Sequence, residues 1–255
     1  MMRATAAVLA TALAAALVLV QPWVGRARYR QLVAAVGERP DARLRHYRRG
    51  VAGEWTIVLL ILGIAALARG HFSSVAVVGT RHQGAAAGIV VTAAVVLGIS
   101  ALVFYFGGTW IQETLQRQAR GFLALLPRTG EERLWFVGLA VTAGCCEELI
   151  FRGFGIAYLR WLWPAAPEWA LIAITAAAFG LAHLYQGPRG VVLTGLVGAY
   201  FAWVVLSTGS LWPAIAIHAL LDLRVLAVRN FDAEPSGASP PAPPPPPVEL
   251  PARGR

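Results

Sequence analysis

The chain contains no lysine: all 22 of its basic residues are arginine. With the abundance of alanine, this reads as a genome composition bias that carries no chemistry of its own. Cysteine is nearly absent too. Only Cys145 and Cys146 occur, and chain neighbours have the wrong geometry for an ordinary structural disulfide. That excludes a disulfide framework, leaves the redox compartment open, and makes the pair two small apolar packers. Charge is scarce as well, at 14% against 57% hydrophobic residues, with a mean hydropathy of +0.60. Such a balance excludes an ordinary soluble domain. The 255 residues are better divided by the roughly 20 apolar residues that cross a bilayer. The expected fold is all-α, a polytopic transmembrane bundle of about seven spanning helices with one amphipathic helix at the interface.

The formal net charge of +9 does not point to nucleic acid, because the arginines sit between apolar segments, where topology needs them. The bilayer is the first partner, and a bacterial inner (plasma) membrane is the expected location. Residues 4–20 form an Ala/Leu/Val run with no clean cleavage site after it, and read as a retained helix. Arg26, Arg28, Arg30, Arg39, Arg43, Arg45, Arg48 and Arg49 then face only Glu38 and Asp41. By the positive-inside rule this segment is a cytoplasmic loop, with the N-terminus outside and the C-terminus in the cytoplasm; attraction to anionic lipid is its other role. Further helices are expected at 55–68, 84–106, 134–163, 169–185, 191–206 and 211–228. The loop residues Arg69, His71, Arg81 and His82 fit no ligand spacing. Residues 110–128 carry the interfacial pattern, the small residues Thr194, Gly198 and Ala202 mark a packing face, and the Pro-rich tail from 232 reads as disordered or polyproline-like. Three parts follow: 1–126 with the first helices, 127–230 as the core that carries the chemistry, and 231–255 as the tail.

Polar residues inside apolar helices are costly and call for a reason. Glu147, Glu148, Arg152, His183, His218 and Asp222 are such residues. On a helix, residues four apart share a face while neighbours diverge by about 100°. Glu148 and Arg152 therefore pair as a structural staple, and Glu147 is left as the free carboxylate. Phe179 lies one turn before His183, and Asp222 one turn after His218, where a carboxylate can fix an imidazole's tautomer. A free glutamate, two histidines and an aspartate on three helices suffice for a glutamate-activated water, with or without a metal.

The motifs resemble those of the CPBP group of intramembrane proteases, also called CAAX prenyl-protease-like or Abi proteins. Glu147-Glu148-Leu149-Ile150-Phe151-Arg152 is similar to the family's EExxxR motif, Phe179 to His183 to its FxxxH motif, and His218 to Asp222 to its HxxxN/D motif. Order and gaps match over about residues 127–228. The resemblance implies a helical membrane endopeptidase, acting on a membrane-associated peptide or protein, in which Glu147 and His183 activate water and His218 and Asp222 complete the site. It also implies a divalent metal such as zinc as a candidate cofactor, with Glu147, His183 and His218 as its ligands. Asp222 stands where the prenyl-protein-processing branch typically has Asn, which leaves CAAX substrates open.

Other motifs are missing. There is no HExxH, as a site-2-type protease would carry, and no GxSG of a rhomboid type. Two readings from other classes remain: a non-catalytic scaffold or immunity-type factor of the same fold, and a proton-coupled transporter. One geometric tension accompanies the catalytic reading. At about 1.5 Å per residue, Glu147 lies roughly 20 Å along a helix starting at Leu134, while His183 stands close to the end of its own. A separation above about 10 Å with nothing between them removes this pair as a catalytic unit.

Overall fold

A computed structural model describes residues 2–68, 83–108 and 122–227. The loop histidines His71 and His82, most of the expected interfacial helix and the Pro-rich tail lie outside the described residues. Within them all regular structure is helical. In chain order the helices are α1 (Met2–Leu19), α2 (Gln21–Ala35), α3 (Ala42–Leu67), α4 (Gln83–Phe106), α5 (Gly130–Leu162), α6 (Glu168–Ala182), α7 (Gly187–Thr208) and α8 (Trp212–Leu223). By length and hydropathy, three runs among the described residues can cross a membrane, namely Ala42–Leu67, Gly130–Leu162 and Leu184–Thr208. The α1–α2 pair, bent by 45°, makes a fourth if it counts as one span. Two further apolar stretches among the described residues, Ala87–Val103 within α4 and Glu168–Ala182, are shorter than a full span, so about seven spans are not confirmed. Val91, Val95, Ile99 and Leu102 on α4, and Leu59 and Leu62 on α3, are exposed, as side chains facing lipid tails are.

The basic segment differs most from expectation. Rather than a loop over 26–49, α2 carries the first arginines and α3 the last, leaving only residues 36–41 between them. Arginine is a good helix former, and apolar anchors recur between the charges: Pro22, Leu32 and Tyr47 are buried. Arg43 is buried too, donating from Nε to the carbonyl of Ala124 at 3.0 Å, while the Tyr47 hydroxyl donates to that of Leu125 at 2.7 Å.

Helix α5 starts at a capping box: Thr129 accepts the backbone N–H of Glu132, and Glu132 accepts that of Thr129 in return. Alongside it runs α3. Arg43 faces Glu132 at 3.7 Å, Tyr47 meets Phe136 edge-on, and a Cβ on Gly50 would lie 3.1 Å from Leu139. The two helices are therefore parallel, and the same register continued sets Glu54 level with Ala143, about one turn before Glu147. Within α5, residues Leu149–Phe154 are π-helical. The wider turn lets Ile150, Phe151, Arg152, Gly153 and Phe154 all be buried, which the narrower burial stripe of a regular amphipathic helix does not allow.

Glycines set the two closest approaches. At Gly180 of α6 a Cβ would lie 2.6 Å from the carbonyl of Val191, so α6 and α7 pack backbone to backbone. At Gly144 of α5 it would stand 3.0 Å from Ala219 of α8 and from the carbonyl of Ile215. This second contact brings His218 against the acidic pair. Gly144→Leu is therefore expected to cost about 1–3 kcal/mol of stability through overpacking. Thermal unfolding in detergent measures it; an unchanged midpoint would mean that α5 and α8 are not held this closely.

Candidate active site

Helix α5 projects Glu147 and Glu148 in different directions, as neighbours on a helix must. Glu148 is fully buried and Arg152 nearly so. The Arg152 Nη1 donates to Glu148 Oε1 at 2.9 Å, and its Nη2 donates to the carbonyl of Gly198 on α7 at 2.9 Å. Its guanidinium lies 4.2 Å from the centroid of the Phe179 ring, close enough for a cation–π contact. Gly198 belongs to the expected small-residue face, and smallness is needed there: a Cβ would lie 2.9 Å from Phe179 and 3.1 Å from Arg152.

Glu148 does more than staple. The same Oε1 accepts a second hydrogen bond, from His218 Nδ1 at 2.9 Å. The expected orienting partner, Asp222, lies 3.7 Å from the other ring nitrogen, Nε2. Glu148 therefore orients His218, and Asp222 faces the reactive side of the ring. Sequence spacing favoured Asp222 because it is one turn away on the same helix; the contact with Glu148 depends on how α5 and α8 pack.

His183 follows the last residue of α6. Its Nδ1 bonds to the carbonyl of Phe179 at 2.9 Å. A carbonyl only accepts, so Nδ1 carries the proton and Nε2 is left to face the cavity. The same bond satisfies one of the orphan carbonyls at the helix end. Phe179 thus serves twice, with its carbonyl under His183 and its ring under Arg152.

Glu147 lies where these pieces meet. Its Oε2 stands 4.0 Å from His183 Nε2 and 3.9 Å from His218 Nε2, and that oxygen is buried with no protein hydrogen-bond partner. The depth mismatch read from helix lengths disappears because α6 is short and ends inside the protein. Helix α2 lies against its end, with Gly25 close to the carbonyl of Ala182 and Tyr29 against Tyr185 at 5.2 Å between ring centroids.

The site opens into a cavity of about 1070 Å³. Glu147, His183, His218 and Asp222 line it, together with residues of α2 and of the first turns of α3. Glu54 of α3 lines it too, with its Oε2 buried and without a hydrogen-bond partner. Sequence reasoning passed over this carboxylate; the one available signal was a lone acid at the head of an apolar run.

For a metal the donors are right in kind, since two imidazole nitrogens and a carboxylate form a common zinc set. Their spacing is wider than required. Bonds of about 2.0–2.1 Å place ligand atoms about 3.4 Å apart in a tetrahedral site, against 3.9 and 4.0 Å here. Among the described residues no group of three or more His, Cys, Asp or Glu is arranged to hold a metal ion. As arranged, the site does not fit one.

Comparison with known families bears on this same segment. Residues 129–224 match the Type II CAAX prenyl endopeptidase Rce1-like family. This is the CAAX protease-like group that the three motifs resemble. The Rce1-like match begins at the cap of α5 and ends just beyond Asp222, so it covers Glu147, Glu148, Arg152, Phe179, His183, His218 and Asp222 but not Glu54. No curated protein and no solved structure matches the chain.

The buried Arg152 guanidinium is expected to hold the site together. Removing it in Arg152→Ala takes the guanidinium from the buried Glu148 and leaves that carboxylate only its hydrogen bond from His218, a loss of about 3 kcal/mol. Thermal unfolding in detergent reads this directly, and a midpoint within a degree of wild type would contradict it.

Proposed function

We propose that this protein is an intramembrane endopeptidase that hydrolyses a peptide bond of a membrane-associated peptide or protein by means of a water activated by Glu147 and His183. The observation that carries the reading is the unpartnered Glu147 Oε2, buried and about equally far from His183 Nε2 and His218 Nε2. Atoms 4.0 Å apart are too distant for a direct hydrogen bond, yet one water at about 2.8 Å from each can bridge them. The Rce1-like match over residues 129–224 supports the same reaction class.

In this mechanism Glu147 takes a proton from the bridging water while His183, its Nδ1 tied to Phe179, orients it. The oxygen attacks the scissile carbonyl carbon. His218, fixed by Glu148, turns its Nε2 edge toward the tetrahedral centre, beside Asp222. Collapse breaks the C–N bond, and the proton held by Glu147 passes to the leaving amine, which restores the carboxylate. A divalent cation such as zinc is a separate proposal: Glu147, His183 and His218 would be the residues to hold it and Lewis-acid assistance the chemistry it would supply, and no step above runs through it. The wider picture we propose is a polytopic protein of a bacterial plasma membrane with about seven spans, its N-terminus outside and its tail in the cytoplasm.

Incubating purified protein with a peptide library, followed by mass spectrometry, tests the proposal. Wild type is expected to generate defined cleavages, while Glu147→Ala and His183→Ala lose at least about 10²-fold in rate, as loss of a general base does. Equal cleavage by wild type and both variants would remove the mechanism. Chelation reports on the cation separately: loss of cleavage that zinc restores would support it, and full activity after chelation would remove it.

A further inference from the structure

The four residues of the site are rich in acceptors and poor in donors. Glu147 and Asp222 carry carboxylates, which only accept, and His183 spends its ring proton on the carbonyl of Phe179, 2.9 Å away. His218 donates from Nδ1 to Glu148 at 2.9 Å, and a proton on its Nε2 faces Glu147 and Asp222 at 3.9 and 3.7 Å. Hydrolysis of a peptide bond nevertheless builds negative charge on the carbonyl oxygen, and a donor aimed at that charge is among the largest contributions to such a reaction. Tyr185 brings an uncommitted one. It stands on the turn just after His183, with 5.8 Å between the two ring centroids, and it lines the same cavity. Its phenol oxygen accepts from Gln186 Nε2 at 3.2 Å, and Gln186 Oε1 accepts from the hydroxyl of Thr194 on α7 at 3.2 Å. The Tyr185 O–H itself donates to no group among the described residues.

We infer, building on the peptidase reading above, that Tyr185 is a further catalytic residue, donating its phenolic O–H to the scissile carbonyl oxygen as that oxygen becomes an oxyanion. The local fold is built for this. Gly187 has a φ of 78°, a left-handed conformation that glycine adopts without cost, and it leads the turn that carries Tyr185 and Gln186 into α7. A Cβ at Gly190 would overlap the Gln186 side chain, so the bare glycine admits the amide that holds Tyr185. From Thr194 through Gln186 to Tyr185 both hydrogen bonds point the same way, and such a chain polarises its last donor. Ring contacts with His183 and Tyr29, at 5.8 and 5.2 Å between centroids, restrict the phenol. A donor held in advance costs no reorganisation when the charge develops. Glu147 and Asp222 lie within electrostatic reach of the hydroxyl, which puts it beside the group that makes the nucleophile. When the water oxygen bonds to the carbonyl carbon, the C=O π pair moves onto the carbonyl oxygen and Tyr185 holds it there. On collapse the pair returns, the C–N bond breaks, and the phenol keeps its own proton throughout. Thr194, expected from its spacing to mark a packing face, therefore has a second duty: it and Gln186 are positioning residues for the phenol.

The test uses the full chain in neutral detergent, the peptide that wild type cuts, and a phosphonamidate analogue of that peptide as a stable mimic of the tetrahedral centre. Tyr185→Phe keeps the ring and removes only the hydroxyl. It is expected to lose about 10²-fold in kcat, as removal of an oxyanion donor does, with KM within about twofold of wild type. Its affinity for the phosphonamidate should fall in step with kcat/KM, because a donor that acts on the transition state acts on its mimic as well. A tyrosine that only packs would give a different pattern, with a raised KM and a lowered unfolding midpoint. Gln186→Leu leaves the phenol in place and removes the hydrogen bond to it. It should lower kcat by about fivefold, the worth of one ordinary hydrogen bond, and it carries the test if Tyr185→Phe does not fold. Unchanged kcat in Tyr185→Phe, a loss confined to KM, or unchanged phosphonamidate affinity would overturn the inference and leave the peptidase reading standing. If Tyr185→Phe does not fold, wild-type kcat in Gln186→Leu would overturn it. Absence of cleavage by wild type itself would remove both, since without the reaction there is no oxyanion to hold.

Discussion

A single carboxylate oxygen, Oε1 of Glu148, connects the parts of this structure that matter for chemistry. It accepts from Arg152 on its own helix and from His218 on α8, and Arg152 in turn reaches the carbonyl of Gly198 on α7. Charges removed from water in this way are worth their desolvation only when each has its partners. The network therefore forms as a unit, and it admits one relative placement of α5, α7 and α8. Even so it is incompletely satisfied: Glu148 Oε2 and Arg152 Nε have no partner. Its contribution is better seen as fixing geometry than as adding stability.

That fixed geometry decides what the neighbouring carboxylate can do. With Glu148 committed, Glu147 is directed into the cavity, and the rings of His183 and His218 reach it because the other nitrogen of each is already occupied. Close backbone approaches at Gly144 and Gly180 make this possible, since any side chain at either position would separate the helices that carry the histidines. The π-helical stretch of α5 serves the same end by turning both Arg152 and Phe154 inward.

Much of this could be read from the residues, and what could not has identifiable causes. The Glu148–Arg152 pair and the divergence of Glu147 follow from helix periodicity alone, a local property. The Glu148–His218 contact does not, because it spans two helices and rests on the smallness of Gly144. His183 looked too close to a helix end because helix ends were equated with membrane faces, whereas α6 stops in the interior with α2 packed against it. The basic segment was read as a loop because its charge was weighed and its helix propensity was not. Glu54 was passed over because it stands alone in sequence and joins the other acids only through the parallel register of α3 and α5.

The central claim is that two adjacent glutamates have separate duties, Glu148 holding and Glu147 reacting. Unfolding midpoints of Glu147→Gln and Glu148→Gln, measured side by side in one detergent, test it most directly. The expected result is a midpoint close to wild type for Glu147→Gln and a clear drop for Glu148→Gln, because only the second removes a buried counter-charge. Equal midpoints for the two variants, or the larger drop in Glu147→Gln, would contradict it.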